Sequence, residues 1–159
     1  MYPSLFKVTL LVVTMVTGAS TYAAGDAEAG QAKAATCVAC HGVDGNSAVP
    51  TFPKLAGLGH KYLLKQMQDI RDGRRPVALM AGQVDNMTDQ DLSDIAAFYD
   101  AQPRTGGMAD PEKVALGRKV YLAGIAERQV PACSGCHSPT GNGNGPAGYP
   151  ALGGQHADY

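Results

Sequence analysis

Cys37-Val38-Ala39-Cys40-His41 recurs as Cys133-Ser134-Gly135-Cys136-His137, and these two stretches hold all four cysteines of the 159-residue chain. Two thiols three positions apart, followed directly by an imidazole, form the pattern that attaches c-type haem covalently. Each thiol adds to one vinyl group of a porphyrin, and the adjacent His ligates iron from the same side as the proximal axial ligand. Two covalently bound haem c groups are therefore expected, one on Cys37 and Cys40 and one on Cys133 and Cys136, with His41 and His137 on the irons. A Cys-Cys-His zinc site and a redox-active Cys-x-x-Cys pair use the same residue types, but neither accounts for the matched loops downstream of the two motifs.

Beyond each motif the chain repeats itself. Gly45-Asn46 matches Gly141-Asn142, and Phe52-Pro53-Lys54-Leu55-Ala56-Gly57 falls on Tyr149-Pro150-Ala151-Leu152-Gly153-Gly154 after a one-residue gap. A shared aromatic-Pro-x-Leu-x-Gly loop behind each motif marks an internal duplication. The same alignment puts Tyr62 on Tyr159. The second unit stops where the first begins its middle helix, so the sequence is expected to be part of a longer protein, with the distal ligand of the second haem beyond residue 159.

Around the motifs the periodicity is helical, and no strand pattern appears. A helix is expected from about Ala27 to Ala35 leading into Cys37, then a Gly- and Pro-rich loop from Gly42 to Gly59. Leu63, Met67 and Ile70 share one face of a helix over Lys61 to Arg71, closed by Gly73. Thr88-Asp89-Gln90-Asp91 resembles a capping box, and Leu92, Ile95, Ala96 and Tyr99 recur at helical spacing behind it. Residues 101–109, with Pro103 and Gly106-Gly107, read as a linker. Asp110 as N-cap and Pro111 at the first helical position open the second unit, with Val114, Gly117 and Tyr121 along its first helix. The expected organisation is residues 1–23 as a signal, 24–100 and 110–159 as two haem units, the second incomplete, and an all-α fold.

The first 23 residues carry Lys7, an apolar run from Val8 to Val16 and the small-x-small site Thr21-Tyr22-Ala23. This is the pattern of a secretory signal cleaved near Ala23, and the run is well short of the roughly 20 residues that a spanning helix needs. Export to the periplasm is expected. Residues 24–100 hold 7 basic and 10 acidic side chains, and residues 101–159 hold 5 and 4. The slight net negative charge argues against nucleic acid as a partner, and its uneven spread reads either as a dipole that orients docking or as scattered surface charge with no such role. There is no Trp, only 6% of residues are aromatic, and 20 are Gly. Neither unit therefore offers much apolar mass of its own, and the haem is expected to serve as part of the core.

On the distal side of the first iron a thioether is the usual partner of His, and it favours ferrous iron. Met67 sits on the apolar face of a helix, Met87 precedes the N-cap Thr88, and Met80 lies in irregular chain between Gly73 and Thr88, where a loop can cross the haem face. Met80 is the preferred ligand, with Met87 as alternative. After His137 the sequence has no Met, and His156 aligns with Gly59, so His156 reads as a surface or loop histidine. His60 reads likewise as a surface group. Each proximal His should donate its second ring N–H to an oxygen; the matched Pro53 and Pro150 carbonyls are the candidates, with Pro50 and Pro146 as alternatives, and a purely conformational role, stiffening the loop at fixed φ, is an equal reading of these prolines.

The two motifs, Gly45-Asn46-Ser47, Phe52 to Gly57, Tyr62-Leu63-Leu64-Lys65-Gln66 and Thr88 to Ala96 together resemble the cytochrome c4 family over the chain from Gly25 onward. The resemblance implies two tandem class I cytochrome c-like domains related by a pseudo-twofold axis, His/Met ligation that places Met80 on the first iron, and electron transfer without enzymatic chemistry. It further implies a periplasmic carrier in a respiratory chain whose partners are a respiratory donor complex and a terminal oxidase, with peripheral membrane association left open. The rival functions are a cytochrome subunit serving one dehydrogenase and a dihaem peroxidase-like enzyme.

Overall fold

Asp26 opens the first helix. In the computed structural model, which describes residues 25–159, its carboxylate accepts from the backbone N–H of Glu28 and Ala29, capping α1 (Ala27–Lys33). The expected signal, residues 1–23, lies outside the described residues. α1 tightens into a 3-10 turn over Ala34–Thr36, a common way to finish a helix. The helix predicted to run to Ala35 is therefore two elements. Cys37 then leads into the single-turn α2 (Val38–His41).

The loop from Gly42 to Gly59 carries no helix. α3 (His60–Arg71) comes next, ending at Gly73 with φ 73°. The Thr88 hydroxyl accepts from the Asp91 N–H while the Asp91 carboxylate accepts from the Thr88 N–H, so the expected capping box starts α4 (Asp89–Asp100). Leu92, Ile95, Ala96 and Tyr99 are all buried, as their spacing predicts, and Phe98 joins them.

α1 crosses α4 in backbone contact. A Cβ on Gly30 would stand 2.0 Å from the Asp94 carbonyl oxygen, so no side chain fits there. The crossing is held by Asp94, whose buried carboxylate accepts from the Asp26 N–H at 2.8 Å and from Lys33 and Gln90. The Lys33 ammonium also pairs with Asp91 at 2.7 Å. It holds both carboxyls below their usual range. Ala34, Leu58, Leu63, Ile95, Phe98 and Tyr99 form one core cluster with Ala96, and Ala151 of the second unit belongs to it.

Asp110 caps α5 (Pro111–Ala123) through the Glu112 N–H, with Pro111 at the first position as read. None of its residues is buried, and Val114 and Leu116 are 49% and 67% exposed. α6 (Ser134–His137) is the counterpart of α2. Two isolated antiparallel bridges, Ile125 to Val130 and Asn144 to Tyr149, close short turns; the other regular elements of the described residues are all helices, joined by loops, with no sheet. No helix among them is long and apolar enough to cross a membrane.

The linker has no regular structure but is pinned. Asn46 donates to the Pro103 carbonyl and accepts from the Thr105 N–H at 2.8 Å, and Arg104 donates to the Gly57 carbonyl.

Candidate haem sites

The two motifs build the same cradle twice. His41 Nδ1 lies 2.9 Å from the Pro53 carbonyl oxygen and His137 Nδ1 lies 2.8 Å from that of Pro150. A carbonyl only accepts, so Nδ1 carries the proton in both rings, and the Nε2 lone pair is left for a metal. Burial holds His41 below its usual range, against the opposing pull of the Pro53 bond, which keeps the ring in the neutral form that ligates iron. Phe52 meets the edge of His41 at 6.3 Å and 69°, and Tyr149 meets His137 at 5.8 Å and 67°. The Gly45 carbonyl accepts from Leu55 and Ala56, just as that of Gly141 accepts from Leu152 and Gly153. Duplication read from letters is thus duplication in hydrogen bonds.

The copies differ at one backbone position. Gly42 comes after the first motif with φ 82° and ψ 161°, and Ser138 after the second with φ 67° and ψ 158°. This region belongs essentially to Gly. Ser138 is held there because its carbonyl accepts from the Tyr121 hydroxyl at 2.6 Å and its hydroxyl accepts from the Asn142 N–H at 3.1 Å.

A cavity of about 470 Å³ opens over His41 and takes in the Cys37 and Cys40 thiols, with Leu63, Met67 and Met80 on its walls. Its volume is within the range of cofactor sites, about 300–1,000 Å³. The four thiols are free of disulfides, and burial pushes the Cys37 thiol up. An apolar cavity with two thiols on one wall and a neutral imidazole aimed into it fits a covalently attached haem. Among the described residues no three His, Cys, Asp or Glu side chains gather as a metal cluster, so the zinc reading lacks a ligand set there.

Met80 closes a 3-10 turn, Ala78–Met80, where the sequence predicts irregular chain, and the turn carries its side chain to the cavity wall. Met67 lines the same cavity while packing on the core, and Met87 packs on the core cluster. His60 is not the surface group expected. It is half-buried, with Nε2 3.1 Å from both Ser93 oxygens, and ties α3 to α4. His156 is in a loop as read, but half-buried, donating to the Ser47 carbonyl at 2.9 Å. The Pro146 carbonyl accepts from Lys61 at 2.7 Å instead of serving an imidazole.

A cytochrome c family model matches residues 27–100. Cytochrome c4 of Pseudomonas aeruginosa is 57% identical over 152 residues, covering 96% of this chain and 75% of that protein. The chain belongs to the cytochrome c4 family. The crystal structure of reduced recombinant cytochrome c4 from Pseudomonas stutzeri superposes with a TM-score of 0.83 at 54% identity, covering 86% of this chain and 76% of that one. A more distant relative, the thiosulfate dehydrogenase electron acceptor of Stutzerimonas stutzeri, is 36% identical over 130 residues, 79% of this chain and 60% of that protein. Cytochromes c4 are dihaem class I electron carriers and not enzymes. Cys37 and Cys40, with Cys133 and Cys136, fit the two haem c sites of the family.

Proposed function

We propose that this cytochrome c4-type chain is exported to the periplasm and passes electrons from a respiratory donor complex toward a terminal oxidase, with His41 and Met80 on the first iron and His137 on the second. The observation that carries the ligand assignment is the single cavity lined by His41, Met80 and the two thiols. Bound there, haem c supplies one-electron exchange at its iron. The chain's own residues do the rest. Cys37 and Cys40 fix the macrocycle edge, the Pro53 carbonyl sets the plane of the His41 ring, and Leu63, Met67 and Ile95 exclude water. Bound by His41 and Met80 together, the iron would have no site left for a substrate, and the group would serve electron exchange between docked proteins.

A second reading is electron acceptance from a dedicated dehydrogenase, favoured by the likeness to the thiosulfate dehydrogenase electron acceptor. Stopped-flow spectrophotometry of the haem-loaded protein separates them. Rapid reoxidation by membranes bearing a terminal oxidase, with slow reduction by a thiosulfate dehydrogenase and thiosulfate, is the expected result. Rapid reduction by that dehydrogenase with no reoxidation by the membranes would establish the second reading. Recovery of the mature chain from periplasmic extracts, beginning at Ala24, checks the export.

A further inference from the structure

The peptide group that orients His41 is gripped from the second unit. Its carbonyl, Pro53 C=O, accepts from His41 Nδ1 at 2.9 Å; its other end, the Lys54 N–H, donates to the Gln155 side-chain oxygen at 2.9 Å. Gln155 Nε2 returns a bond of 2.9 Å to the Lys54 carbonyl, and Oε1 also accepts from the His156 N–H at 3.0 Å, so the amide is held at both ends and cannot swing away without losing three bonds. Lys54 is itself buried, its ammonium on the Thr105 hydroxyl at 2.9 Å. Hydrogen bonds in series polarise one another. An acceptor on the Lys54 N–H makes the Pro53 oxygen more negative, which strengthens the bond from His41 and makes the imidazole a stronger donor to whatever Nε2 ligates.

The second cradle is built differently. The Pro150 carbonyl orients His137 in the same way, but no acceptor among the described residues meets the Ala151 N–H of that peptide. The two copies match in the imidazole and its carbonyl and differ in the next link.

We infer that Gln155 is a positioning residue of the second unit that tunes the first haem iron through the Pro53–Lys54 peptide, lowering its reduction potential relative to a site without that link. This rests on His41 being the proximal ligand. The relay runs from Gln155 Oε1 through one peptide to the iron-facing imidazole, and the more basic ring stabilises ferric iron.

The test is a spectroelectrochemical titration of the haem-loaded full chain, with each potential assigned to its haem by the NMR shifts of the haem methyl groups. Gln155→Leu removes the acceptor and is expected to raise the first potential, moving the ferric-to-ferrous ratio at fixed ambient potential roughly twofold or more, while the second haem stays put. Gln155→Glu keeps an acceptor for the Lys54 N–H and is expected not to raise the first potential. An unchanged first potential in Gln155→Leu, or equal shifts of both haems, would overturn the relay. If neither variant loads haem, amide exchange at Lys54 in the wild-type protein decides: slow exchange is expected, and exchange at the rate of a free peptide rejects the bond. The NMR spectrum of the wild-type protein also reports axial ligation. A first haem without a ligated imidazole sinks the ligand assignment, whereas intact ligation with an unmoved potential sinks only the role of Gln155.

Discussion

Ser138 occupies a backbone region that costs about 1–3 kcal/mol for a residue with a side chain, against about 1 kcal/mol for the exposed hydrogen bond its hydroxyl accepts from the Asn142 N–H. The strain outweighs the bond, because Asn142 can turn to water. Ser138→Gly is expected to stabilise the haem-loaded protein by about 1 kcal/mol, read as a higher midpoint in denaturant. Met80 has the opposite prospect. Replacing it with Ala is expected to lower the first haem's potential and abolish the red thioether-to-ferric-iron absorption of that site, since thioether ligation favours the ferrous state; an unaltered band would return the assignment to Met87. At this scale the sequence is legible wherever two copies can be laid side by side. Pro53 and Pro150 stand out because matched loops must do matched work. Gln155 does not, since its partner Lys54 lies 101 residues away and the corresponding residue of the first unit, Leu58, has no amide.

Helix α1 meets α4 without a layer of side chains between them, so the contact tolerates no added volume at Gly30. Gly30→Ala drives a methyl against backbone that cannot rotate away; a loss of about 1–3 kcal/mol is expected from overpacking, measured by thermal unfolding. The same crossing carries part of the acid sensitivity of the fold. Asp91 and Asp94 sit below their ordinary values because the Lys33 ammonium is beside them, so they bind protons more readily when unfolded. Their contribution is complete above the ordinary carboxylate pKa of about 4 and is lost as pH falls from there through the depressed folded values. Lys33→Met is expected to flatten the acid limb of a stability-against-pH curve, and an unchanged limb would place the sensitivity elsewhere. The helices themselves are readable because capping boxes, N-caps and a 3.6-residue period act over a few residues. The turn at Ala78–Met80 and the bridges at Ile125 and Asn144 are not, because turns this short carry no period; nor is the role of His60, set by packing of α3 on α4.

Across the whole molecule the first unit is net acidic and the second neutral, with Arg104 of the linker making residues 101–159 slightly basic, and the two units are joined by Gln155 on Lys54, His156 on Ser47 and Lys61 on Pro146. A dipole of this kind steers a docking partner only while it is unscreened. Raising ionic strength through about 0.1 M, where the screening length is near 10 Å, should slow the second-order reaction with a redox partner whose surface is basic, as followed by stopped-flow; a rate indifferent to salt would remove the dipole from the docking mechanism. The charge asymmetry is plain from composition, whereas the joint is not, because its bonds run between loops with no pattern of their own. In both cradles the imidazole is aimed by a backbone carbonyl. No single-nucleotide change can delete a carbonyl, so the aim of the two rings is encoded in the path of the chain, which Gly45 and Gly143 hold because a Cβ at either would stand 2.6 Å from a neighbouring atom. Genetic drift can therefore reach the aim of the rings only by bending the turns that carry those loops.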